Sequence, residues 1–222
     1  MIPALLELLF PTKCPFCGKL LKQGQALLCP DCQRDLPWTQ GEQKKVEFVS
    51  RCVSPLWYRD QVSQSHHRYK FRGAQAYAVP YARLMAQCVN DRLQGEFDII
   101  TWVPLSRFRR WRRGYDQAQL LAERLGEELD MPCEPLLRKV RNTRAQSGLK
   151  GESRRRANVL GVYATRREVR VEGRRILLVD DVVTTGSTLS ECARMLLSAG
   201  AAQVVCVTLA VAGGAEERKV QK

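Results

Sequence analysis

Residues Ile176 to Thr188 restrict what this chain can fold into more than any other stretch. Ile176 to Val179 is a continuous apolar run of the kind found in a strand covered on both faces. Asp180 and Asp181 follow at its carboxyl end. After two more apolar residues, Thr184, Thr185, Gly186, Ser187 and Thr188 form a hydroxyl-rich turn. Leu189, Cys192, Ala193, Leu196 and Leu197 then recur at helical spacing, and Gly200 stands where a left-handed residue ends a helix. Val204 to Val211 is a second apolar run, which completes a βαβ unit. Further upstream, Tyr81, Leu84, Met85, Cys88 and Val89 predict one amphipathic helix, and Ala118, Leu121, Ala122, Leu125 and Leu129 another, on either side of a short strand at Asp98 to Val103. The expectation is an α/β fold with a parallel sheet flanked by helices.

In open α/β sheets, ligands bind beyond the carboxyl ends of the strands. There the 184–188 turn offers hydroxyls and backbone N–H groups at a helix N-terminus, which favours a phosphate, and Gly186 permits close backbone approach. Asp180 and Asp181 can accept hydrogen bonds from ribose hydroxyls or help hold a Mg²⁺ carried by pyrophosphate. A sugar bearing a 5′-phosphate satisfies both halves. The order of these thirteen positions resembles the 5-phosphoribosyl-1-pyrophosphate (PRPP) signature of type I phosphoribosyltransferases. The plainer alternative is an acid-tipped strand followed by a Ser/Thr helix cap. Thr184 stands where the 6-oxopurine enzymes of that class have an aspartate, which disfavours hypoxanthine or guanine salvage. No other residue identifies itself as a general base.

The chain has a formal net charge of +13, which implies a polyanionic partner: nucleic acid, an anionic membrane surface or a phosphorylated small ligand. Five arginines occupy the seven positions from Arg107 to Arg113, just after the Asp98 to Val103 strand. A pyrophosphate-binding loop is expected there, with Arg109, Arg113, Gly114 and Gln117 as its candidates. Guanidinium groups match phosphate oxygens and would stabilise a departing pyrophosphate. A second basic stretch, Arg138 to Arg156, reads as a mobile active-site loop, with Arg138, Arg141, Thr143, Gln146 and Arg155 as candidates. Both stretches are also compatible with a solvated positive surface. A third possibility is a single-strand groove in which Trp111 and Tyr115 stack on bases. His66 and His67 lie in a basic segment without metal-ligand spacing and read as surface residues.

Near the start, Cys14 and Cys17 form one CxxC pair and Cys29 and Cys32 another, with eleven residues between them. Two such pairs converge on one tetrahedral ion, so a structural Zn²⁺ ribbon is expected, with redox-active or unligated thiols as the alternatives. Cys52, Cys88, Cys133, Cys192 and Cys206 are scattered and read as core residues. The expected organisation is a zinc-ribbon module over 1–38, a linker over 39–48, an α/β domain over 49–213 and a polar tail over 214–222. Met1 to Lys13 lacks the basic n-region of a signal peptide, and no stretch reaches the roughly 18 apolar residues of a membrane span. A cytoplasmic location is expected, with peripheral attachment to the inner face of the membrane as a further possibility.

The zinc ribbon, Lys70 to Gly73, Val103 to Gln117 with its Arg113-Gly114 pair, Thr143, Gln146 and Asn158, and the terminal motif occur here in that order. Together they resemble the ComF family of competence and DNA-utilisation proteins. The resemblance spans nearly the whole chain and implies a type I phosphoribosyltransferase-like domain behind a zinc finger. Asp116 departs from it, standing where the family usually has asparagine. By resemblance, PRPP with Mg²⁺ is the expected ligand. Single-stranded DNA and a DNA-uptake helicase or other competence protein are the expected partners, and the process is DNA uptake or natural transformation. A non-enzymatic adaptor that uses the pocket as a sensor, and plain nucleobase salvage, are the competing readings.

Overall fold

The protein is described by a computed structural model over residues 12–21, 27–40, 44–141 and 159–213. Helix α1 (Pro30–Asp35) closes the cysteine-bounded segment. Pro30 presets its first turn, and the Cys29 side chain accepts the Cys32 N–H. Strands β1 (Cys52–Val53) and β2 (Leu56–Trp57), helix α2 (Asp60–Phe71), helix α3 (Ala78–Arg92) and strand β3 (Ile99–Trp102) follow. Then come helices α4 (Arg107–Arg113) and α5 (Gln117–Leu129), strands β4 (Leu137–Lys139), β5 (Tyr163–Thr165) and β6 (Arg175–Val183), helix α6 (Ser187–Ser198) and strand β7 (Gln203–Val211).

The main sheet runs β1-β7-β6-β3, with β2 also on β7, and every pairing in it is parallel. Its central strands are the two apolar runs of the βαβ unit. A period of two along β6 divides the core. Leu177 and Val179 pack with Tyr81, Met85, Leu121 and Leu125 of α3 and α5. Ile176 and Leu178 pack on the other face with Leu189, Cys192 and Leu196 of α6. Strands β4 and β5 form a separate antiparallel hairpin beside α6. Among the described residues, no helix is long and apolar enough to cross a membrane.

Strand β6 extends past the apolar run. Asp180 pairs with Thr208, Val182 with Ala210 and Val183 with Val211, because β7 is long enough to offer backbone partners to its own end. The acidic pair therefore lies inside the ladder, and its two side chains point to opposite faces of the sheet. Thr39 and Val46, from the stretch expected as a linker, pack on this framework. Thr39 donates its hydroxyl to Ser54 O at 2.6 Å, Trp38 bridges to Leu56, and Val46 is buried. The Arg107 to Arg113 stretch, expected as a loop, is the helix α4. Ser106 caps it by accepting the Arg109 N–H at 3.4 Å, and Gly114 ends it at φ +81°.

Candidate functional site

Asp181 is the most constrained residue at the carboxyl end of β6. Its Oδ2 receives His66 Nε2 at 3.0 Å and Lys70 Nζ at 2.9 Å. These two residues stand one helical turn apart on α2 and so meet one oxygen together. Tyr58 OH lies 3.1 Å from His66 Nδ1 and fixes the ring from behind. Burial works against a charge on Asp181, but Lys70 and then His66 overcome it and hold the carboxyl well below the usual carboxylate range. His66 is thus buried, contrary to its reading as a surface residue, while His67 rests on Phe71. Its signal in the sequence was helical: Val62, Ser65, His66 and Tyr69 form one buried stripe along α2.

Asp180 faces the α6 side of the sheet. Its Oδ1 accepts the Asp181 N–H at 2.8 Å. Burial, reinforced by the charge of Asp181, pushes its carboxyl up to about 8. Of the two carboxyls, Asp181 is thus the one whose charge the surroundings favour and Asp180 the one whose charge they oppose. Arg107, Arg110, Arg138, Lys139 and Arg166, together with the carboxylates of Asp116 and Glu168, line a cavity of about 570 Å³, and Lys139 is the member whose charge Asp180 feels. Lys139 stands over the Tyr163 ring at 5.1 Å and donates to Tyr163 OH at 3.3 Å. Burial, helped by Arg109, draws its ammonium down to about 8.

The turn after β6 leads directly into α6. Gly186, the N-cap of α6, adopts φ +79° and offers no side chain of its own to the helix N-terminus. Thr185 Oγ1 and Ser187 Oγ lie 2.9 Å apart, and Thr184 is exposed. A Cβ on Gly186 would meet Val46 Cγ2 at 2.9 Å. Gly186→Ala should therefore cost about 2–3 kcal/mol in chemical unfolding, combining left-handed strain with the clash. Gly173, at φ +71° with open space around it, gives the conformational part alone, so Gly173→Ala should cost less. Equal costs would mean that Val46 yields freely.

Other candidate residues are placed less directly. Arg113 donates to Gln117 Oε1 at 2.8 Å and lies over the Phe71 ring at 5.0 Å, next to α2. Asp116 caps α5 and accepts the Leu105 N–H at 2.8 Å. Tyr115 is buried against Tyr69, with ring centroids 5.6 Å apart, so it packs in the core and is not presented for base stacking. Trp111 is 82% exposed. Arg138 belongs to β4, and Arg141 follows the hairpin's first strand. Thr143, Gln146 and Arg155 lie outside the described residues, as does Asn158.

The four N-terminal cysteines converge as their spacing predicts. The Sγ atoms of Cys14, Cys17, Cys29 and Cys32 all lie within 4.8 Å of one another. A tetrahedral Zn²⁺ with bonds of about 2.3 Å places its sulfurs about 3.8 Å apart, so the cluster fits the ion closely. Gly18 makes the tight turn at φ +77°, donating its N–H to Cys14 O at 2.9 Å. Burial opposes ionisation of Cys14, but N–H groups of its neighbours bring its thiol down to about 7. A closed four-sulfur shell leaves no open coordination position, which makes this a structural zinc site. Cys52, Cys88, Cys192 and Cys206 are buried core residues and Cys133 is partly exposed.

Residues 81–222 match the phosphoribosyl transferase domain family, and residues 5–44 match the double zinc ribbon domain. The chain is 33% identical over 199 residues to Competence protein F of Haemophilus influenzae, covering 86% of this chain and 81% of that protein. It is 36% identical over 211 residues to the DNA utilization protein YhgH of Salmonella typhimurium, covering 88% and 90% respectively. It is 31% identical over 198 residues to Competence protein ComFC of Bacillus subtilis, covering 88% of this chain and 76% of that protein.

Proposed function

This chain belongs to the ComF family, a phosphoribosyl transferase domain behind a double zinc ribbon, and on that premise we propose that it binds PRPP with Mg²⁺ and acts on DNA during uptake or utilisation. One observation carries the ligand reading: a fixed carboxylate, Asp181, stands at the end of β6, a few residues before the glycine-capped N-terminus of α6. Asp181 and Asp180 accept the ribose hydroxyls. The 184–188 turn receives the 5′-phosphate through backbone N–H groups and hydroxyls. Mg²⁺, carried by the pyrophosphate, neutralises part of its charge, and Arg109 and Arg113 are the side chains for the remainder. The arginine-lined cavity, with exposed Trp111 on the neighbouring α4, suits a polyanion such as a single DNA strand.

Isothermal titration with PRPP and Mg²⁺ tests the first part, and pyrophosphate release across a panel of bases and oligonucleotides tests the chemistry. Saturable PRPP binding is expected, together with oligonucleotide binding that weakens steeply with salt. A second reading, a ligand-sensing adaptor without transfer, is favoured by Thr184, which cannot handle a base proton as an aspartate would. Binding without any pyrophosphate release would establish that reading. Absence of PRPP binding would remove both.

A further inference from the structure

Helix α2 touches both the zinc knuckle and the acidic strand end. Towards the knuckle, Arg68 Nη2 donates to Pro15 O at 2.9 Å and to Phe16 O at 2.7 Å. Ser65 donates its hydroxyl to Pro15 O, and Gln61 Oε1 lies 3.5 Å from Cys32 Sγ. Pro15 and Phe16 are the two residues between Cys14 and Cys17, so their carbonyls hold a fixed position when those thiolates share an ion. Towards the sheet, the same helix presents His66 and Lys70 to Asp181 Oδ2. Between these contacts Tyr69 is fully buried and donates to Gln117 O at 2.9 Å, anchoring the helix in the core. The contacts at its two sides are joined by one rigid turn of backbone.

We propose that α2 couples the zinc ribbon to the ligand site. The knuckle positions α2 through Ser65 and Arg68, and α2 positions Asp181 through His66 and Lys70, so that zinc and the phosphoribosyl ligand strengthen each other's binding. Arg68 is on this account a positioning residue for a ligand that it does not touch. The ligand half rests on the PRPP reading above, whereas the link from knuckle to strand does not. Coupling between sites is reciprocal and commonly amounts to about 5–150-fold in affinity.

Two measurements test this, both on the full chain. The first uses no ligand: zinc is withdrawn with a chelator, and hydrogen exchange is followed in peptides covering α2 and residues 176–188. Faster exchange in both segments is expected, and unchanged exchange at 176–188 overturns the coupling. The second titrates PRPP with Mg²⁺ into zinc-loaded protein and into Arg68→Ala, and follows zinc transfer to a chelating dye with and without PRPP. The Arg68→Ala change should weaken PRPP roughly tenfold, with partial rescue by Arg68→Lys. PRPP should slow zinc release from the wild type, and in Lys70→Met, compared with its own ligand-free rate, that slowing should be absent. A wild type that binds PRPP yet releases zinc at the same rate with or without it overturns the reciprocal link. A wild type that binds no PRPP removes the ligand assignment, and the exchange result then decides the coupling alone.

Discussion

Replacing Asp181 with asparagine is expected to weaken PRPP binding about 100-fold, read by isothermal titration in the presence of Mg²⁺. Truncating one partner of a buried, hydrogen-bonded charge pair typically costs about 2–5 kcal/mol, and 100-fold corresponds to about 2.7 kcal/mol. The variant keeps the shape of the side chain but removes the charge that Lys70 and His66 share, and an amide oxygen is a weaker acceptor for ribose hydroxyls. Without ligand it should also be less stable, by about 2 kcal/mol, because buried His66 and half-buried Lys70 lose their charged acceptor. Undiminished PRPP affinity in this variant would exclude Asp181 from the ligand site.

The neighbouring acid gives the contrasting result. Asp180 is raised to about 8, so Asp180→Asn, which has no proton to release on unfolding, should raise ligand-free stability at pH 7. The two residues also predict opposite pH dependence. Asp181, lowered in the folded state, contributes stability above its unfolded value of about 4 and loses it as pH falls through the lower folded value. Asp180 holds in the folded state a proton that the unfolded chain has released between about pH 4 and about 8. Stability from this group therefore declines as pH rises across that window, and Asp180→Asn should remove the decline. Urea unfolding of the wild type and both variants between pH 3 and 8.5 checks both signs.

Removing the zinc ligands should have the second large effect. Cys14→Ser/Cys29→Ser is expected to abolish stoichiometric zinc and expose residues 12–38 to proteolysis, since structural Zn²⁺ contributes about 10 kcal/mol or more to the fold of such small modules. Cys14, Phe16, Leu28, Cys29, Cys32 and Leu36 are its buried apolar residues among those described, and three of these six are zinc ligands. Two of the four sulfur ligands would become hydroxyls that Zn²⁺ binds poorly. Cys192→Ser, in the α6 core, serves as the control and should leave zinc content unchanged. Metal content by emission spectrometry and cleavage kinetics with trypsin report the two outcomes. A double variant that retains one equivalent of zinc would show that other ligands hold the ion.

Much of this arrangement was legible along the chain. The apolar runs at 176–179 and 204–211 and the helix between them have local periodicities, and local periodicity is what a sequence records directly. The cysteine pairs are legible for the same reason, since a CxxC turn is a short-range object. Helix α4 was missed because its arginines carry no apolar stripe, and its boundaries depend on the Ser106 cap and the Gly114 turn. His66 was misread because its neighbours in sequence are basic and polar, while its partner lies 115 positions away.

The sequence by itself determined the parallel sheet, the zinc ribbon, and a strand ending in two acids before a hydroxyl-rich turn, because each is set by spacing within one or two elements. Only the tertiary structure decided how the acids differ. Strand β6 runs on through Asp180 and Asp181, and the pleat sends them to opposite faces, where one meets Lys70 and His66 and the other turns to the α6 side of the sheet. Which of two adjacent carboxylates keeps its charge depends on burial and on cations brought from distant parts of the chain, and neither is encoded in the spacing of the acids themselves.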